Sequence, residues 1–488
     1  MSNPIKVLFV AAEADPLVKV GGLGDVSGSL PAALNALSPA EIDGHKIDVR
    51  LVLPFHKVLR SKVENPAFLF SFDVPTANQP VKAEAYQITL NGIRTYLIAG
   101  KSIDNAPTVY STDAQLDGYK YIFFSQAILP FIKALNWQPD ILHANDWHTA
   151  LAIYDLAGKQ EQNPQLRNIR SVLTVHNLPF MGAGTEAAFD AFGIKPSQYP
   201  RVPGWGRKFP LPLGMQKSDR ITTVSATYAE EMMTPEFGCG LENLLQVRKK
   251  VVSGIVNGLD MEAWDPATDP NIEVNFDASH LSRRDENRKA LIREFDLDPD
   301  PKIPLLILIT RMDPQKGVDI AVEGLRLTAD KPWQAILLGT GNLELEQACL
   351  LLEEEYPDRV RAAIRYDGAL SRRMYAGGDI LLMPSRYEPC GIAQMMAMRY
   401  GCLPLARATG GLKDTIVDVS TSPDSGTGFL FGPAKPKAFA KALSHALEVY
   451  KNQSKWQEIQ KRGMAQDFSW KNSALNYVDL YLGLLQKP

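Results

Sequence analysis

Three groups of residues have the types and spacing that chemistry on a charged, hydroxyl-rich ligand requires. Arg311 and Lys316 stand in Thr310-Arg311-Met312-Asp313-Pro314-Gln315-Lys316-Gly317, directly after the apolar run Leu305 to Ile309. Two cations beside a helix entrance suit a diphosphate leaving group, on which negative charge grows as its bond breaks. Either alone would be an ordinary solvated charge. Lys19 opens Lys19-Val20-Gly21-Gly22-Leu23-Gly24-Asp25-Val26, between the apolar run Ile5 to Ala12 and a helical pattern from Ser27 to Leu37. Glycines there let backbone approach a ligand, and unpaired N–H groups of a first helical turn favour an anion. The same residues also read as a tight turn with a solvated lysine.

The third group consists of polar side chains delivered at the ends of strand-like runs. Asp146 lies in His143-Ala144-Asn145-Asp146-Trp147-His148, His176 and Asn177 follow Ser171 to Val175, and Glu388 lies in Ser385-Arg386-Tyr387-Glu388-Pro389-Cys390-Gly391. Carboxylate and imidazole at such places can bind or deprotonate hydroxyl groups. Asp146 reads equally as an N-cap of the following helix, Glu388 as a first-turn acid complementing a helix dipole, and Trp147 as core. His143 and His148 are five apart, off the four-residue spacing of two metal ligands on one helical face, and no H-E-x-x-H is present. No metal is expected. Glycine turns at Leu338-Gly339-Thr340-Gly341 and Thr409-Gly410-Gly411-Leu412 offer further close approaches of backbone.

The elements that must position these residues alternate along the chain. Strand-like Ile47 to Leu53, Ala85 to Leu90, Thr95 to Ala99 and Ile141 to His143, with a helix across Tyr119 to Leu135, have the rhythm of a wound parallel sheet. A proline-bearing polar stretch follows Asp260. The rhythm then repeats at Leu305 to Ile309, Gln334 to Leu338, Ala362 to Arg365, Ile380 to Met383 and Leu403 to Ala406. Two Rossmann-like α/β domains are expected, residues 1–255 and 256–469, with ligands collecting at the carboxyl ends of strands. Asn472 to Leu485 reads as an amphipathic helix.

Composition removes several function classes. The 488 residues are 45% apolar, and 52 basic against 55 acidic side chains leave a net charge of −3, so no basic field for nucleic acid is expected. No apolar stretch is long enough to cross a bilayer, and no charged leader precedes the first strand, so a cytoplasmic setting without membrane partners is expected. Cys239, Cys349, Cys390 and Cys402 are too scattered for a disulfide framework or zinc knot. A dinucleotide fingerprint fails at Ser27, where its third glycine should stand, and at Leu53-Pro54-Phe55-His56, where an acidic residue should end the second strand.

Taken together, Lys19-Val20-Gly21-Gly22-Leu23, His143 to His148, Thr174-Val175-His176-Asn177, Thr234-Pro235-Glu236-Phe237-Gly238, Asn257-Gly258-Leu259-Asp260, Arg311 with Gln315-Lys316-Gly317, Glu388-Pro389-Cys390-Gly391 and Thr409-Gly410-Gly411-Leu412 resemble the bacterial glycogen synthases and plant starch synthases. The resemblance spans nearly the whole chain. It implies the glycosyltransferase-B fold, with the two domains facing a central cleft and the C-terminal helix, 470–488, crossing back to join the first, glucan-side domain. It also implies transfer of glucose from ADP-glucose to the non-reducing end of an α-1,4-glucan with retention, without cofactor or metal.

Carried over by resemblance, Lys19, Arg311 and Lys316 hold the diphosphate with the N–H of Gly22, beside Gly21. His176 sits by the transferred glucose with Asn177, Glu388 holds its hydroxyls, and Asp146 lies near glucose or acceptor. Gly339, Cys390, Gly391, Thr409, Gly410 and Gly411 complete the binding set. Val20, Gly24, Ala226 and Ala393 depart from residues common in the family, and none of these removes a charged site residue. Met396 stands where small-acceptor relatives carry a second glutamate. The alternatives are a transferase using UDP-glucose or a small acceptor, and a non-catalytic glucan-binding homologue.

Overall fold

The computed structural model describes residues 4–486. The chain divides into two compact units, Met1–Gly258 with Trp470–Pro488, and Leu259–Ser469. The sequence reading had set the first boundary a few residues earlier, at 255/256. The chain changes unit where Leu259 N donates to the Phe468 carbonyl at 2.6 Å. A Cβ on Gly258 would lie 2.5 Å from the Trp470 Cα, so that position takes only glycine without a shift.

The first unit holds a nine-stranded sheet: β1 (Ile5–Val10), β2 (Ile47–Pro54), β3 (Ala67–Val74), β4 (Val81–Leu90), β5 (Ile93–Ala99), β6 (Ile141–Asn145), β7 (Arg170–Val175), β8 (Arg220–Thr223) and β9 (Val252–Gly254). Their order is β3-β4-β5-β2-β1-β6-β7-β8-β9. The seven strands from β5 to β9 in that order are parallel, as the alternating rhythm implied. β3 and β4 are antiparallel additions at one edge, which that rhythm did not anticipate. Asn91-Gly92 joins β4 to β5 with φ of 48° and 76°, the left-handed pair of a tight hairpin turn.

Side chains alternate between two apolar layers. Leu8 and Val10 of β1 join one cluster, and Ile5, Val7 and Phe9 the other. Both faces are therefore covered by helices, and a strand covered on both faces reads as a continuous apolar run. The C-terminal helix Trp470–Leu485 supplies Trp470, Ala474, Tyr477, Val478, Tyr481 and Leu484 to the second layer, at the spacing of one helical stripe.

The second unit holds six parallel strands, β10 (Leu305–Ile309), β11 (Gln334–Gly339), β12 (Val360–Ile364), β13 (Ile380–Met383), β14 (Leu403–Arg407) and β15 (Phe429–Phe431). Their order is β12-β11-β10-β13-β14-β15, the doubly wound arrangement in which strand order reverses beside the first strand.

Candidate functional site

In an open parallel sheet, the loops leaving adjacent strands at the reversal point run to opposite faces and open a crevice. In the second unit that point lies between β10 and β13, and it collects Arg311, Lys316 and Glu388. Lys316 ends a 3-10 turn, Pro314–Lys316, started by the Asp313 side chain, and Gly317 follows at φ 67°. A Cβ on Gly317 would meet the Pro384 carbonyl oxygen at 2.2 Å, so only glycine lets the two loops pack this closely.

The Lys316 Nζ lies 2.7 and 2.9 Å from the two Glu388 carboxylate oxygens, and the Ser385 hydroxyl donates to the same carboxylate at 3.0 Å. The Glu388 side chain is 7% exposed and that of Lys316 20%. Glu388 lies in the loop ahead of the helix Ala393–Arg399, not in its first turn, so complementing that helix dipole does not explain it. Its loop is held by the glycine turn. A Cβ on Gly410 would lie 1.9 Å from the Glu388 carbonyl oxygen, and one on Gly411 2.0 Å from that of Cys390. The Gly411 N–H donates to the Glu388 and Pro389 carbonyls, so it packs the loop and does not face outward as a ligand donor.

Arg311 is the exposed member of the group: its side chain is 74% exposed and lies 3.2 Å from Asp313. It borders two cavities. One, about 230 Å³, includes Lys316, Ser385, Glu388, Gly391 and Ala393 in its walls. The other, about 440 Å³, includes Gly339, Tyr366, Arg372, Tyr375 and Met396. Tyr366 is 90% exposed at that cavity, a flat aromatic face open to a ligand.

In the first unit the reversal falls between β1 and β6. Asp146 follows β6 with φ 55° and stands at the N-cap position of the helix Trp147–Lys159, where its carbonyl accepts the Thr149 N–H at 3.3 Å but its side chain makes no capping hydrogen bond. Its carboxylate instead accepts the His176 N–H at 2.7 Å and the Asn177 N–H, tying the end of β6 to the end of β7. Burial pushes this carboxyl up to about 7 despite those donors, with the nearby charge of Glu13 adding to the rise. The His176 Nε2 lies 2.9 Å from the Asn145 Oδ1, while the Asn145 Nδ2 donates to the Val10 carbonyl. With the amide so oriented, Nε2 carries the proton and Nδ1 is left as an acceptor. Burial lowers this imidazole to about 3, so it is neutral at pH 7. The Asn177 Oδ1 is buried with no hydrogen-bond partner.

The other two histidines of the motif are structural. His143 is fully buried between the Tyr481 hydroxyl and the Thr174 Oγ1, each at 2.7 Å, and His148 packs under Trp147 and Tyr121. Among the described residues no group of three or more His, Cys, Asp and Glu is placed to hold a metal ion.

The glycine loop differs most from its expectation. Its helix begins at Gly22, five residues before the helical pattern was recognised. The N–H groups of Val20 and Gly21 donate to the Glu13 carboxylate, so the Gly21 N–H is already engaged. The Lys19 ammonium lies on the Asp25 carboxylate. Val20 is 62% exposed, whereas a Cβ on Gly24 would lie 3.1 Å from the Lys19 Cγ, which relates that glycine to the setting of the lysine. Glu13, and Tyr110 whose hydroxyl donates to it at 3.0 Å, were missed by the sequence reading. The available signal was position: Glu13 is the first charged residue beyond the apolar run that ends β1.

The family described as "Starch synthase catalytic domain" matches residues 6–247, and "Glycosyl transferases group 1" matches residues 291–463. A glycogen synthase of Moorella thermoacetica is 37% identical over 100% of this chain and 98% of its own. One of Thermotoga maritima is 38% identical over 99% of each. Among solved structures, the catalytic domain of starch synthase IV from Arabidopsis thaliana, bound to ADP and acarbose, superposes with a TM-score of 0.86 at 31% identity, covering 99% of this chain and 100% of that one.

Proposed function

Because the chain belongs to the family of the bacterial glycogen synthases and plant starch synthases, we propose that it transfers glucose from ADP-glucose to the non-reducing end of an α-1,4-glucan with retention of configuration. The observation that carries this reading is the Lys316–Glu388–Ser385 cluster at the reversal point of the second sheet, lining the smaller of the two cavities that Arg311 borders. The relative solved with ADP and acarbose supports a nucleotide diphosphate donor and a glucan-like acceptor.

Lys316 and Arg311 are the proposed diphosphate ligands. The Glu388 carboxylate, already hydrogen-bonded by Ser385, accepts from the sugar hydroxyls once Lys316 turns to the phosphates. The nucleoside occupies the larger cavity, where backbone at Gly339 is bare and Tyr366 offers a stacking face. In the first unit, Lys19 and the Gly22 N–H are the proposed phosphate donors. The Asn177 Oδ1 is an unused acceptor for a hydroxyl, and neutral His176 offers Nδ1 for another. Asp146 sits behind both and orders the backbone that presents them.

For the reaction, the acceptor 4-hydroxyl oxygen forms the new bond to the anomeric carbon while that carbon's bond to the phosphate oxygen breaks. The hydroxyl proton passes to the departing phosphate oxygen on the same face, and ADP leaves. Cations that meet the growing phosphate charge more strongly than the ground state lower the barrier. The pair of carboxylates used by retaining hydrolases has no part in this scheme, nor has a metal ion.

The test is glucose incorporation into glycogen from ADP-glucose and UDP-glucose in parallel, with EDTA present. Metal-independent transfer from ADP-glucose is expected. Transfer from UDP-glucose alone would overturn the donor, and glycogen binding without transfer from either would favour a binding protein.

A further inference from the structure

We propose that Glu13 is a positioning residue for the glycine loop: its carboxylate fills an anion cradle made by the Val20 and Gly21 N–H groups and the Tyr110 hydroxyl, and so aims Lys19 and the following Gly22 N–H. The inference rests on the reading that Lys19 and Gly22 meet the donor's diphosphate. Glu13 is 1% exposed, three residues beyond the end of β1. Val20 and Gly21 both donate to its Oε2, and Tyr110 donates to its Oε1. The loop between is closed on itself by the Ala14–Val18 bridge and by the Asp15 N–H donating to the Gly24 carbonyl at 3.0 Å.

Tyr110 is fixed in turn. The Lys120 ammonium, buried, donates to the Thr108 carbonyl at 3.1 Å and also to that of Val109, which accepts the Tyr121 hydroxyl as well. A rigid segment therefore holds one oxygen of Glu13 while the loop hangs on the other. A buried carboxylate that takes three donors is a structural anion, and the N–H groups it occupies are withdrawn from any phosphate. The donor is left the N–H groups of Gly22 and Leu23 at the start of the helix Gly22–Ala36, that of Gly24 already donating to the Gly21 carbonyl at 3.1 Å.

The geometry separates reach from charge. A Glu13→Gln side chain keeps its length and one oxygen where Oε2 stands, so both N–H groups remain bonded, and its amide can donate to the Tyr110 oxygen. Glu13→Asp keeps the charge but withdraws the carboxylate by one methylene. Positioning predicts that Glu13→Gln retains kcat/KM for ADP-glucose within a few-fold, while Glu13→Asp and Glu13→Ala lose about 10²-fold, the effect of misplacing a binding group by about 1 Å. Glu13→Ala also opens a carboxylate-sized cradle, and formate should restore its activity saturably without affecting wild type.

The assay is transfer from ADP-glucose to glycogen by the full chain, with melting temperatures and with Lys19→Ala in the same series. Glu13→Asp matching or exceeding Glu13→Gln would overturn the inference, as would a well-folded, impaired Glu13→Ala that formate does not rescue. If Glu13→Ala does not fold, the Gln and Asp pair decides alone. Lys19→Ala with wild-type kinetics would instead overturn the diphosphate reading. A Lys19-dependent enzyme indifferent to Glu13→Ala would overturn only the role of Glu13.

Discussion

Replacing Lys316 with alanine separates what that lysine does for the fold from what it does for transfer. In the structure it neutralises a Glu388 side chain that is only 7% exposed. Breaking a buried ion pair by removing one partner costs about 3–5 kcal/mol. The 20% exposure of Lys316 and the cavity beside it admit water, so the expected loss is lower, about 1–3 kcal/mol. At about 2–4 °C per kcal/mol for a unit of this size, melting should fall by about 2–12 °C. Adding Glu388→Gln removes the stranded charge and should recover most of that loss.

Activity should follow a different course. If Lys316 meets phosphate charge in the transition state, Lys316→Ala loses about 10²–10³-fold in turnover, the effect of deleting one such electrostatic contact. The double variant stays at least as inactive while melting like wild type. The assays are thermal melts and initial rates of glucose incorporation from saturating ADP-glucose. A Lys316→Ala enzyme within tenfold of wild-type turnover, or a double variant that regains transfer together with stability, would refute the reasoning.

Two further outcomes are expected. Burial raises the Asp146 carboxyl in the fold to about 7 from its ordinary 3.8. The fold thus holds a proton that the unfolded chain releases, and the stability this gives is full below pH 3.8 and lost as pH rises to about 7, in total about 4 kcal/mol. Buried His143 and His176, both lowered to about 3, tilt stability the other way below pH 6.5. The measurement is therefore the melting temperature of Asp146→Asn minus that of wild type, which should rise from pH 4 to 7 and then level off; a flat difference would contradict the buried, protonated carboxyl. Gly411→Ala places a Cβ 2.0 Å from the Cys390 carbonyl oxygen and must displace the Glu388 loop. A loss of about 10²-fold in kcat/KM is expected, whereas Gly432→Ala, with open space around it, should leave the rates unchanged.

Several parts of this molecule were legible before any coordinates. Strands covered on both faces become apolar runs, so β1, β6, β7, β10 and β13 announced themselves, and the rule that ligands gather at their carboxyl ends pointed to Asp146, His176, Arg311, Lys316 and Glu388. The edge strand β3 carries a weaker signal: its apolar run Ala67 to Phe70 breaks into alternation, with Ser71 and Asp73 exposed and Phe72 and Val74 buried, because only one face of it is covered. The glycine-loop helix starts earlier than its pattern because Gly22 and Gly24, among the poorest helix formers, flank Leu23 in its first turn.

Pairing across distance is another matter. Asp146 had equal claims as a cap and as a site residue, and the left-handed backbone that turns its carboxylate onto the His176 N–H exists only because β6 and β7 lie side by side. The spacing of His143 argued against a metal ligand but did not say what holds its ring; the C-terminal helix brings Tyr481 to it, across 338 residues of chain. Glu13 carried no motif, and its meaning came from three donors on two separate segments. Residue types and short-range periodicity thus established the family of elements and which strand ends carry polar side chains, because both depend on local geometry and solvent exposure. Which polar group faces ligand, which is consumed within the protein, and which proton each holds were decided by tertiary contact, because desolvation and hydrogen bonding act through space and not along the chain.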